Sequence, residues 1–173
     1  EKPFFASVTN LNTGEYEILG NGVLSQAVVA SSSIPILFKA QQIGENLYVD
    51  GGVLNNLPVE PLRPKVDILI GVNVSPIRET NKLENLFEIG FRTLDLVTWS
   101  NVQRRLAQCD ITIEPGAQEF TFFELKRARE IYEIGYETTQ KNINELLKML
   151  GRDIQGNPSP TPPPQVINDE TSG

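Results

Sequence analysis

The chain contains no histidine. A Ser-His-Asp relay therefore cannot be assembled from its 173 residues. There is a single cysteine, Cys109, so no internal disulfide can form and nothing requires an oxidising compartment. With no histidine and one thiol, only oxygen ligands remain for a metal, and no acidic cluster has the spacing of a calcium loop, so no metal site is expected. Gly-x-Ser-x-Gly does not occur. No apolar run reaches transmembrane length, and no signal peptide is visible at the start, which favours the cytoplasm. Basic residues are outnumbered. The net charge of -7 leaves no basic face to neutralise phosphates, which argues against a nucleic-acid partner.

Hydrophobic residues make up 39% and charged residues 21%, the balance of a folded globular chain long enough for one domain with a core. The character changes near Gly151. Residues 152–173 are rich in proline, from Pro158 to Pro164, and poor in apolar surface, so a disordered tail of polyproline character is expected there and a domain over residues 1–151. The tail holds Arg152 against Asp153, Asp169 and Glu170, so most of the acidity is spread over the domain. There is no internal repeat.

Pro3 to Thr9 reads as a strand, Asn10 to Glu15 as a turn with Gly14 suited to a left-handed position, and Tyr16 to Leu19 as a returning strand. So apolar a strand at the outset is expected to pair with sequence that precedes it. Leu24 to Ala30 is a short helix, with Ser25 as a candidate cap, ended by Ser31-Ser32-Ser33 and Pro35. Gln41–Ile43 and Leu47–Val49 are short strands joined by Gly44-Glu45-Asn46. Leu54 to Leu62 is a loop with a turn of helix near Pro58 and Pro61. Asp67 to Val74 is the strongest strand, apolar and β-branched as a strand buried on both faces should be. Pro76 to Asn81 is a loop. Leu83–Ala107 and Glu124–Leu150 are long helices with apolar stripes, and Asp110–Ile113 is a further strand. Strands alternating with long helices predict an α/β fold with a mostly parallel sheet. In such folds ligands bind beyond the C-terminal strand ends.

Val49-Asp50-Gly51-Gly52-Val53 places one carboxylate at such an end, directly before two glycines. Small residues there let the backbone turn and come close to a substrate. Before it stands Ala30-Ser31-Ser32-Ser33-Ile34-Pro35, after it Asn55-Asn56-Leu57-Pro58, and beyond that Asp67 to Val74. The ordered set resembles the C-terminal part of the catalytic domain of the patatin-like phospholipases, most closely the bacterial members. Cys109 to Pro115 and the stretch from Phe122 to Tyr136 resemble that family's closing strand and helix. Asp-Gly-Gly alone is a weak motif; the ordered set is specific.

The resemblance implies a three-layer α/β/α domain, present here in part. It implies a serine lipid acyl hydrolase working through a Ser–Asp dyad on a fatty-acyl ester of a phospholipid or lysophospholipid, without a cofactor and with transient contact to a membrane surface. Asp50 maps onto the catalytic aspartate, with Gly51 and Gly52 as its motif neighbours at the substrate. The nucleophile in Gly-x-Ser-x-Gly and the glycine-rich oxyanion loop do not map onto this chain. A missing N-terminal segment of the same domain is expected to carry them, and the isolated chain is expected to be inactive.

Competing readings stand beside these. An Asp before Gly commonly does no more than open a turn. A non-catalytic half-domain, or an α/β scaffold whose Asp50 hydrogen-bonds a ligand, would share the sequence. Ser31, Ser32 and Ser33 are better read as ending a helix than as nucleophiles, since no elbow glycines flank them. Asn55 and Asn56 either orient Asp50 or simply make the turn. Cys109 reads as a small buried apolar residue. The long helical stripes read as core. Asn73-Val74-Ser75 reads as a chance sequon at a strand end.

Overall fold

The computed structural model describes residues 2–74, 77, 79–80, 83–117, 120, 124–152 and 157. The chain runs β1 (Ala6–Asn10), β2 (Glu15–Leu19), α1 (Leu24–Ser31), β3 (Gln41–Ile43), β4 (Asn46–Asp50), α2 (Gly52–Asn55), a 3-10 turn at Arg63–Lys65, β5 (Ile70–Val72), α3 (Leu86–Leu106), β6 (Ile111–Ile113), a 3-10 turn at Leu125–Arg127, and α4 (Ala128–Met149). The fold is mixed α/β.

The principal sheet has the order β2-β1-β4-β3, and every pairing in it is antiparallel. The expected mostly parallel sheet is thus corrected. The reason lies in connection length. The β1–β2 and β3–β4 links are hairpin turns, Leu11–Gly14 and Gly44–Glu45, and so short a link can only reverse the chain. Among the described residues only β5 and β6, joined through the long α3, pair in parallel, in a separate two-stranded sheet. The sequence reading gave that one crossover more weight than the two hairpins.

The first hairpin is fixed by Asn10, which is 1% exposed. Its Oδ1 accepts the Asn12 N–H at 2.9 Å and the Thr13 N–H at 3.3 Å, and Gly14 takes φ 75° to close the turn. Glu17 of β2 accepts from Asn10 Nδ2 and from the Tyr48 hydroxyl at 2.7 and 3.0 Å, tying β2 to β4 across β1. Val8, Ala30 and Tyr48 form the core between this sheet and α1, with Leu19 and Ile43 packed against them.

The strand expected over Asp67–Val74 is shorter, and it is not buried on both faces. Leu69, Gly71 and Asn73 are buried while Ile70, Val72 and Val74 are exposed, the alternation of a strand covered on one side. Asn73 donates to Glu114 Oε1 at 2.7 Å and is 4% exposed, which fits a chance sequon rather than a glycan site. α3 begins at a reciprocal cap. Asn85 Oδ1 accepts the Glu88 N–H and Asn85 Nδ2 donates to Glu88 Oε1, both at 2.9 Å. No Ser25 cap forms on α1, whose first position follows Val23. α3 and α4 are helices as expected, but their stripes are not fully core. Val102 is the buried residue of α3, Leu86 is 84% exposed, and Tyr132 of α4 is 65% exposed. Parts of the Pro76–Asn81 loop and most of the expected disordered tail lie outside the described residues.

Candidate active site

Asp50 closes β4, opposite Val8 of β1. Its main chain is held from both sides: its N–H donates to the Ser33 carbonyl at 3.0 Å, and its carbonyl accepts from the Thr9 hydroxyl at 3.1 Å. The side chain is held too, because the Gly52 N–H donates to Asp50 Oδ1 at 2.7 Å. Burial lifts the Asp50 carboxyl above its ordinary value, and the Gly52 N–H pulls it part of the way back.

Gly51 has φ −64°, which any residue can adopt, so its need for glycine is steric. A Cβ there would collide with the main-chain carbonyl of Ser7 on β1. A Cβ on Gly52 would stand 2.6 Å from Asn56 Oδ1 and 3.0 Å from Asp50 Oδ1. The glycine pair therefore brings the turn down onto β1 and leaves room around the carboxylate.

The nearby serines and asparagines are tied into the surrounding elements. Ser32 and Ser33 donate to the Val28 and Val29 carbonyls of α1 at 2.8 and 2.7 Å, the helix-ending role expected of them. Asn55 is fully buried. Its Nδ2 donates to Glu60 Oε2 at 3.0 Å and its carbonyl accepts from Ser7 Oγ at 3.3 Å. Its Oδ1 is buried without a partner among the described residues. Asn56 gives its main-chain N–H to Asn101 Oδ1 at 3.1 Å. Cys109 is half-buried against Gly71, its thiol raised mainly by burial.

Asp50 faces a cleft of about 120 Å³. Ile34 and Pro35 form one wall, and Phe91 and Leu94 of α3 form the other. Ile36, next to the first wall, has φ 75°, an uncommon conformation for a β-branched residue. Asp95 of α3 is the second carboxylate lining the cleft. Pockets that enclose a small molecule measure roughly 300–1,000 Å³. This one is smaller, of a size for the reacting end of a ligand rather than the whole of it.

Residues 2–63 match the patatin-like phospholipase family. The matched stretch runs from β1 through α2 and contains Asp50, Gly51 and Gly52. The matched residues thus build the principal sheet and the carboxylate turn, while α3, which supplies the facing wall, lies beyond them. Uncharacterized NTE family proteins of Mycobacterium bovis and Mycobacterium tuberculosis are 44% identical over 64 residues, 37% of this chain and 11% of theirs. Lysophospholipase NTE1 of Cryptococcus neoformans var. neoformans serotype D is 34% identical over 80 residues, 46% of this chain and 5% of that protein. The chain therefore spans only a small fraction of the curated relatives it matches.

Among the described residues no helix is long and apolar enough to cross a membrane, and no three His, Cys, Asp or Glu are grouped to hold a metal ion. The sequence reading did not single out Glu60, Asn101 or Arg105, which surround the Asp50 turn. Asn101 had a signal: it falls four residues after Val97 and seven after Leu94, on the apolar stripe of α3, where a polar residue needs a partner.

Proposed function

We propose that this chain is the aspartate-bearing, C-terminal part of the catalytic domain of a lipid acyl hydrolase. Its substrate is a fatty-acyl ester of a phospholipid or lysophospholipid, and water is the acceptor. Asp50 serves as the base of a Ser–Asp dyad. The serine and the oxyanion donors come from sequence outside these 173 residues. The observation that carries this reading is the Asp50 carboxylate itself: held through Oδ1, lifted by burial, and lining a cleft beside Ile34, Pro35, Phe91 and Leu94. The patatin-like match and the lysophospholipase relative support a lipid substrate.

The chemistry follows from that placement. A serine hydroxyl becomes an effective nucleophile when its proton is taken as it attacks. The Asp50 carboxylate accepts that proton while Oγ bonds to the ester carbonyl carbon. Collapse of the tetrahedral intermediate breaks the ester bond, and the departing alcohol leaves with the proton. Water then attacks the acyl-serine, again losing its proton to Asp50, and the fatty acid departs as serine is reprotonated. An ordinary aspartate, near pKa 3.9, is a weak base, and burial makes it stronger. No imidazolium forms, so oxyanion donors must supply more of the transition-state stabilisation.

The test is Asp50→Asn in the full-length protein, assayed for fatty-acyl ester hydrolysis. General-base loss predicts a fall in kcat of about 10²–10⁴-fold. Retained turnover would remove Asp50 from the chemistry. The absence of Gly-x-Ser-x-Gly keeps the half-domain reading in play for the isolated chain. A serine-reactive fluorophosphonate should leave this chain alone unlabelled, and labelling would place a nucleophile within it.

A further inference from the structure

α3 does more than wall the cleft. Its Asn101 meets both ends of the α2 turn that follows Asp50. Asn101 Nδ2 donates to the Gly52 carbonyl at 3.3 Å, and Asn101 Oδ1 accepts the Asn56 N–H at 3.1 Å. Those two main-chain groups are four residues apart, the pair that one further helical hydrogen bond would join. The same Gly52 peptide that Asn101 holds by its carbonyl is joined to the peptide unit whose N–H binds Asp50 Oδ1 at 2.7 Å.

Asn101 is itself braced. Arg105 Nη1 donates to the Asn101 carbonyl at 2.6 Å, and Arg105 Nε to Glu60 Oε1 at 2.7 Å. Glu60 Oε2 in turn accepts from the buried Asn55 at 3.0 Å, and the Asn55 N–H returns to the Gly51 carbonyl at 2.7 Å. A closed ring of hydrogen bonds thus runs from α3 through Glu60 to the residue beside Asp50. Asn101 lies on the face of α3 that carries Phe91, Leu94 and Thr98 along the cleft.

We propose that Asn101 is a positioning residue for the Asp50 carboxylate, setting the Gly51–Gly52 turn so that the Gly52 N–H aims one carboxylate oxygen and leaves the other for the nucleophile. This rests on Asp50 being the base. It gives α3 a role in the chemistry although α3 lies outside the patatin-like match. Besides Asp95 on α3, the elements packed around Asp50 present Ser7 and Thr9 from β1 and Ser33 after α1, none of which titrates near neutrality.

The experiment uses the full-length protein. Asn101→Leu keeps the branched heavy-atom outline of the side chain and removes both donor and acceptor. Asn101→Asp keeps the acceptor for Asn56 and sets an oxygen against the Gly52 carbonyl. Rates on a chromogenic fatty-acyl ester are normalised to folded protein by near-ultraviolet circular dichroism. Each variant should lose about tenfold in kcat, the worth of one such hydrogen bond, with KM little changed. In Asn101→Leu, which adds no charge, the acidic limb of the pH–kcat profile should move to higher pH, because a loosened Gly52 N–H no longer holds the carboxyl down. That movement should persist in an Asp95→Asn background.

Wild-type kcat in either folded variant overturns the proposal, as does an unmoved limb in Asn101→Leu. So does a loss that disappears once the rates are normalised to folded protein. Asp50→Asn is run in parallel to separate the two ideas. If it is active, the base assignment fails. If it is inactive while Asn101→Leu behaves as wild type, only the positioning role fails.

Discussion

At Asp50, function and stability pull in opposite directions. The carboxyl is lifted by burial, so between its ordinary value and its raised folded value the native state holds a proton that the unfolded chain has released. Stability therefore falls as pH rises through that window and stays lowered above it. Asn at this position keeps an acceptor for the Gly52 N–H and carries no charge. Asp50→Asn should accordingly unfold at a higher temperature than the parent at pH 7, and the gain should vanish below the ordinary aspartate range, as measured by thermal unfolding at both pH values. A less stable variant at pH 7 would contradict the burial argument. Gly51 is the other decisive residue. Gly51→Ala drives a methyl group into the Ser7 carbonyl, and an overpacked site of this kind costs about 1–3 kcal/mol. Urea titration should show that loss with an unchanged slope.

The elements differ in how openly they were written. The reciprocal Asn85–Glu88 cap fixes where α3 starts, and through it the placement of Phe91 and Leu94 in the cleft wall. Asn85→Ala should cost about 1 kcal/mol, read from the shift in denaturation midpoint. Both hairpins were legible because their turns carry Gly14 and Gly44, each with positive φ. The Asp50 turn was legible as an ordered motif set. The direction of the principal sheet was not read correctly, since alternation of strands and helices says nothing about which strands pair. Asp67–Val74 misled for a related reason: its apolar run marks a strand, yet exposure depends on what covers each face, and there Ile70 and Val72 stand open. Asn101 was missed because side-chain clamps between distant elements leave only a polar residue out of place on an apolar stripe.

Across the whole molecule the packing is uneven. Val8, Ala30 and Tyr48 tie β1, α1 and β4 together, while β5 and β6 form a sheet of two strands, fewer than usually stand alone, and α4 buries no residue fully. Amide exchange should therefore be slowest in β1 and β4 and faster in β5, β6 and α4. Uniform protection would show these parts to unfold as one unit. The seam between the hairpin and the Asp50 turn carries a further consequence. Gly51 is opposed by the main chain of Ser7, an atom group every amino acid brings. Trimming the side chain at position 7 cannot make room for a larger residue at position 51. A substitution there has no second-site suppressor across the contact, so this part of the sequence is closed to the compensating exchanges by which packed side chains drift.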